Sequence, residues 1–231
     1  RHTLSEEDFR GDIFRNHPIK LAGNNDILCL TRPDIISALH REYLEAGADI
    51  ISTCSFNAQA ISQADYGTTE YITQINLAAA RLARAEADRM SVITPDKPRF
   101  VAGSIGPTGK TASMSPDVDN PALRVVDFDM LQSAYKEQIA ALIEGGVDLL
   151  LFETIFDTLN AKAALAAEKE LLKAVNLFDV YEGKNLEAGK KSYALSFILQ
   201  DTENTLKDKQ IEAIMAKLLK TFEEKFGAKL R

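Results

Sequence analysis

Tryptophan is absent from this chain of 231 residues, and there are only two cysteines, Cys29 and Cys54. So few thiols exclude the disulfide framework of a small exported domain and a four-cysteine zinc site within the chain; reduced, buried thiols are the expectation. Long hydrophobic runs are missing as well. The longest near-continuous one, Val147 to Phe156, is interrupted by Asp148 and Glu153 and is too short to cross a bilayer, so no membrane partner is expected. The N-terminal stretch is charged where a secretory signal would be apolar, and the location reads as cytoplasmic. An excess of basic groups is also lacking: 27 Lys and Arg face 34 Asp and Glu, a net charge of −7. The chain as a whole is therefore not built to bind a phosphate backbone.

What is present is ordinary globular composition, 45% hydrophobic and 26% charged, enough for one large or two small domains. The basic residues are unevenly distributed. Residues 1–146 hold 10 Arg and 4 Lys, whereas residues 147–231 hold 12 Lys and only Arg231. Both residue types are cationic and soluble, so electrostatics does not require such a switch, and it points to two sources for the chain.

Hydrophobic periodicity divides the chain into elements. Residues 1–30 show no sustained period. A helix begins at Arg32-Pro33-Asp34, with Ile35, Ile36, Leu39, Tyr43 and Leu44 on one stripe, and ends at Gly47. Within it His40 reads as a satisfied surface residue. Ala48 to Thr53 is a buried strand and Ser55 to Gly67 a polar loop or broken helix. A helix from Thr69 to about Met90 presents Ile72, Ile75, Ala79, Leu82 and Ala83 inward. Strand Phe100 to Ile105, a long loop from Gly106 to Asp127, helix Phe128 to Glu144 and strand Val147 to Thr154 follow. Helical crossovers between apolar strands predict parallel pairing, either as half of a barrel or as an open doubly wound sheet.

Beyond Asp157 the pattern changes. A helix from Leu159 to about Ala174 precedes two strands, Leu177 to Tyr181 and Ser192 to Gln200, joined by a polar turn and read as an antiparallel hairpin. A helix from Leu206 to Phe226 and a short tail complete the chain. From Val147 onward the order is β-α-β-β-α-β, a ferredoxin-like signature. The expected fold class is α/β: a partial (β/α)8-type parallel segment, residues 1–146, fused to a ferredoxin-like βαββαβ module, residues 147–231. The open strand edges of the parallel segment predict self-association.

Four stretches carry a family likeness: Ala46-Gly47-Ala48-Asp49-Ile50-Ile51, Ser104-Ile105-Gly106-Pro107-Thr108, Ser115-Pro116-Asp117, and Glu153-Thr154-Ile155-Phe156-Asp157-Thr158-Leu159-Asn160-Ala161-Lys162. With them, residues from about Asp8 to Glu170 resemble the homocysteine-binding domain of cobalamin-dependent methionine synthase. The resemblance implies a (β/α)8 barrel whose strand ends bind homocysteine and a zinc ion that activates its thiolate for methyl transfer. Three zinc-binding cysteines and the last four barrel strands of that family have no counterpart in this sequence. Residues from about Leu171 to Arg231 resemble instead the anticodon-binding domain of the bacterial phenylalanyl-tRNA synthetase beta chain. Leu177-Phe178-Asp179-Val180-Tyr181-Glu182-Gly183, Gly189-Lys190-Lys191-Ser192 and the ending Phe226 to Arg231 carry that likeness. The two resemblances together imply a chimera joined near residues 166–174.

Glu153 heads the candidate site residues, because α/β sheets present their chemistry at the C-terminal ends of strands, and a carboxylate there suits an ammonium group. In the resembled family the matching Glu contacts the amino acid portion of homocysteine. Thr53, Ser55 and Asn57 follow the first strand and line the same rim, and Ser104 joins them from the second motif. Asp157 is expected to cap the following helix. The family pattern has Asn where this chain has Cys54, which leaves a thiol at the rim. Cys29, Cys54, His2, His17 and His40 match no compact ligand spacing, so no metal or cofactor is expected. In the tail, Lys184, Lys190 and Lys191 beside Tyr181 or Tyr193 are the candidate RNA contacts. The module is nearly neutral, so tRNA binding is expected to be weak, as is homocysteine binding without zinc. The functional expectation is an inactive chimera on a homocysteine S-methyltransferase scaffold, the alternative being an RNA-binding module.

Overall fold

The computed structural model describes residues 3–167, 179–181 and 192–194. The chain divides into two compact units, Arg1–Lys169 and Glu170–Arg231. In the first, the chain begins with helix α1 (Glu6–Arg10), contrary to the irregular start expected for residues 1–30. The cause is a capping box that hydrophobic periodicity does not register: Ser5 Oγ accepts the Asp8 N–H, and Asp8 Oδ2 accepts the Ser5 N–H at 2.8 Å. A 3-10 turn, Asn25–Ile27, leads into the short helix α2 (Leu28–Thr31).

Helix α3 (Pro33–Glu45) starts on its proline as expected. Its buried face, however, is Ile36, His40 and Leu44, while Tyr43 is 62% exposed and Leu39 43%. Ile36 and Leu44 of the predicted stripe thus face inward, but His40 stands between them in place of Leu39 and Tyr43. His40 is a core residue rather than a surface one, with its Nε2 lacking a partner among the described residues. Helices α4 (Ala60–Gln63), α5 (Ile72–Ile93), α6 (Phe128–Glu144) and α7 (Thr158–Ala167) follow. α5 buries Ile72, Ile75, Ala79 and Ala83 on the face its period predicts.

Strands β1 (Ile50–Ser52), β2 (Phe100–Ile105) and β3 (Leu149–Phe152) form a parallel sheet in the order β1-β2-β3. Ile51, Val101, Ile105, Leu150 and Phe152 pack into clusters with side chains of α3, α5, α6 and α7. The alternate positions point the other way and are open at the start of each strand, with Ile50 53% exposed, Phe100 43% and Leu149 39%, while the small Ala102 and Ser104 further along β2 are buried. Helices thus cover one face of a sheet whose strands follow chain order. That is the arrangement of consecutive units in a (β/α) barrel rather than of a doubly wound sheet, which places helices on both faces.

In the second unit the described residues are two strands, β4 (Asp179–Tyr181) and β5 (Ser192–Ala194), which pair antiparallel with Val180 opposite Tyr193. This agrees with the predicted hairpin. The rest of the βαββαβ expectation, including the helix Leu206 to Phe226, lies outside the described residues, as do Lys184, Lys190 and Lys191.

Candidate site at the carboxyl ends of the parallel strands

The β1 and β2 ends are joined by side chains that the sequence marks as polar but the fold makes internal. Thr53, Ser55 and Ser104 are 4%, 0% and 3% exposed. The Ser55 hydroxyl donates to the Ser104 carbonyl at 2.7 Å, which uses its only proton. The Thr53 hydroxyl, 2.6 Å away, must then donate to Ser55 Oγ, and it also accepts the Ser104 N–H at 2.9 Å. From the helix side Gln138 Nε2 donates to the Ser55 carbonyl at 2.7 Å. Buried hydroxyls satisfied in this way pin β1 to β2.

Glu153, one residue beyond β3, is half-buried. Its N–H donates to the Ile105 carbonyl at 3.0 Å, continuing the β2–β3 pairing, and its Oε1 accepts the Ser104 hydroxyl at 2.6 Å. Its other carboxylate oxygen has no partner among the described residues. Ser104 therefore links the buried network to the carboxylate: its backbone belongs to the first and its side chain holds the second. Thr154, next in the chain, adopts φ 60°, a left-handed conformation that a β-branched residue rarely takes. Such strain costs about 1–3 kcal/mol and gathers at functional sites. No sequence signal marks it.

Around this rim the long loop after β2 is stitched to the start of α7. Asp157 caps the helix as expected, accepting the Leu159 N–H at 2.8 Å, and its other oxygen accepts both the N–H and the hydroxyl of Ser113. Burial opposes its charge, but the bonds from Ser113, Asn160 and Leu159 outweigh it and hold the carboxyl below its usual range. Asn160 donates to Thr108 and to the Lys110 carbonyl and accepts the Ala112 N–H. This part of the loop is thereby ordered against the same end of the sheet.

Asn57 is exposed, and its N–H donates to Asp26 Oδ1 at 3.3 Å. Asp26 was not predicted, since nothing in Asn24-Asn25-Asp26 distinguishes it from a polar turn. It is 5% exposed, and burial pushes its carboxyl up to about 6, against the opposing pull of the Asn57 N–H. A surface cleft of about 650 Å³ lies between α4 and α6, lined by Ile61, Asp65, Lys110, Val126, Met130 and Glu137 among others, but by none of the predicted site residues.

Among the described residues no three His, Cys, Asp or Glu side chains converge on a point where an ion could sit. The two cysteines of this sequence and their surroundings do not fit a tetrahedral zinc site.

The sequence matches the profile described as homocysteine S-methyltransferase over residues 1–228. The chain belongs to that family. The match runs on through the segment whose phrases resemble the anticodon-binding domain. Among solved structures, the metallated form of the homocysteine methyltransferase MmuM from Escherichia coli is 26% identical, with a TM-score of 0.50, over 61% of this chain and 50% of that one. Its oxidized form is 25% identical with the same TM-score, over 61% and 49%. This family member thus spans about half the length of the solved structures it matches.

Proposed function

We propose that the chain binds homocysteine at the carboxyl ends of β2 and β3, with Glu153 receiving the amino group, and that this half-length scaffold does not itself transfer a methyl group. The observation that carries the reading is the Glu153 carboxylate: one oxygen is held by Ser104 and the other has no partner among the described residues, at the strand end where this fold class does its chemistry. A half-buried carboxylate fixed by a neighbouring hydroxyl suits an ammonium ion better than a mobile surface one does, because less entropy is lost on pairing. Methyl transfer to sulfur needs the thiol as its thiolate, and among the described residues no three donors converge to hold a zinc ion that would lower its pKa. Thr53 and Ser55 serve this site from behind, by fixing the β1–β2 spacing and the Ser104 backbone. Asn57 and Ser104 complete the rim.

Titration of the full chain with L-homocysteine, followed by two-dimensional amide NMR, tests the reading. Shifts centred on Ser104, Glu153 and Thr154 are expected, and Glu153→Gln should weaken binding at least tenfold, about 1.4 kcal/mol. Shifts that E153Q leaves intact would end this assignment.

One observation favours the RNA reading of the tail: the antiparallel β4–β5 pair brackets the segment that contains Lys184, Lys190 and Lys191. Salt-sensitive binding of phenylalanine tRNA, lost on replacing Lys190 and Lys191, is its requirement. The division at residue 147 and a chimeric origin belong with that second reading. Self-association through β1 and β3, each paired on one side among the described residues, is a separate proposal. A single monomeric boundary in sedimentation velocity would refute it.

A further inference from the structure

Cys29 and Cys54 stand on different segments, α2 and the turn after β1, yet each thiol is aimed at the other's segment. Cys29 Sγ donates to the Cys54 carbonyl at 3.4 Å. Cys54 Sγ donates in turn to the carbonyl of Asn25, in the 3-10 turn that leads into α2, at 3.5 Å. Both side chains belong to one apolar cluster with Leu28, Ile27 and Phe9. Their accessibility differs: Cys29 is buried and Cys54 half-exposed.

We propose that Cys29 and Cys54 are a redox-sensitive dithiol that closes to an internal disulfide when a hydroperoxide reaches the rim. Cys54 reacts first because it alone is open to solvent. Its sulfur attacks one peroxide oxygen, the O–O bond breaks, and Cys54 becomes a sulfenic acid with release of water. The Cys29 sulfur then attacks the Cys54 sulfur. The S–O bond breaks, and the departing hydroxyl takes the Cys29 proton as a second water. Two thiols and one hydrogen peroxide thus give one disulfide and two waters.

The order of events has a physical basis. The neighbouring Cys54 thiol, burial and the charge of Asp26 all hold the Cys29 thiol well above its usual range, so Cys29 stays protonated while Cys54 is intact. Once closed, the bond would tie α2 to the turn that carries Thr53 and Ser55, across 25 residues of sequence.

The test uses the full chain and its readout is independent of homocysteine, so it stands or falls separately from the proposed function. The protein is treated with hydrogen peroxide, alkylated under denaturing conditions, and analysed by intact mass and non-reducing tryptic mapping. The expected result is loss of both titratable thiols in a monomer, a mass lower by two hydrogens, a peptide pair linked through Cys29 and Cys54, and full reversal by dithiothreitol. In Cys29→Ser the Cys54 thiol should pass on to sulfinic or sulfonic acid. In Cys54→Ser the Cys29 thiol should survive the same dose. Oxygen added to Cys54 in the unaltered chain while Cys29 remains alkylatable would overturn the proposal, as would a disulfide found only between two molecules. Should either variant fail to fold by circular dichroism, the linked or unlinked peptides of the unaltered chain decide the matter alone.

Discussion

The two ends of the sheet's rim are built on opposite plans. At the β1 side, Thr53 and Ser55 are buried, every hydroxyl is committed, and Gln138 supports the turn from behind. At the β3 side, Glu153 is half-buried with one oxygen unpaired among the described residues, and Thr154 is held in a conformation costly for its side chain. One side is over-determined and buried, and the other is open and strained. Rigidity on the first side makes strain on the second sustainable, because Ser104 belongs to both. Polar residues at a strand end need not face a ligand. Whether a hydroxyl is a contact or a pin depends on where its proton goes.

The sharpest way to break this contrast is to force the closed side apart. A Cβ on Gly106 would lie 2.5 Å from the Phe56 carbonyl oxygen and 2.8 Å from its ring, and backbone cannot move aside as a flexible side chain could. Gly106→Ala is expected to cost about 3 kcal/mol in urea unfolding. An equal loss from alanine at an open rim position would erase the distinction.

A smaller effect concerns the one buried carboxylate on the closed side. The Asp26 carboxyl is raised in the folded chain to about 6 from an ordinary 3.8. Its contribution to stability is therefore fully present below about pH 4 and is lost as pH rises through 6. Asp26→Asn removes that loss. The variant is expected to be more stable than its parent by on the order of 2 kcal/mol at pH 7, and the difference should vanish near pH 4, as read from urea midpoints across that range. A pH-independent difference would place the cost elsewhere.

The smallest expected effect lies on the open side. Glycine accepts φ 60° without steric cost, so Thr154→Gly should raise stability by at most about 1 kcal/mol, part of the relief being offset by glycine's freedom in the unfolded chain. The same change should loosen Glu153 and weaken homocysteine binding by calorimetry. A stabilised variant that binds homocysteine as tightly as its parent would show that the strain serves no site.

Much of the fold is legible in the residues. The α5 stripe, the proline start of α3, the three apolar strands and the antiparallel pairing of β4 with β5 follow from period and punctuation. Where the reading of periods failed, the cause is specific. α1 rests on reciprocal capping by Ser5 and Asp8, a local hydrogen-bonding signal rather than a hydrophobic one. In α3 the apolar period finds Ile36 and Leu44, but the buried face between them is His40, which an apolar count passes over in favour of Leu39 and Tyr43.

Local spacing and crossover length set the element types beyond α1, the parallel character of β1–β3 and the position of Glu153 at a strand end. Tertiary structure alone decided that the helices gather on one face, that Thr53 and Ser55 turn inward while Glu153 keeps an oxygen unpaired among the described residues, that Thr154 is strained, and that Asp26 and the two thiols meet at one rim. Each of these outcomes joins residues remote in sequence. Their free energy exists only once the chain has closed the loops between them, and no local pattern encodes it.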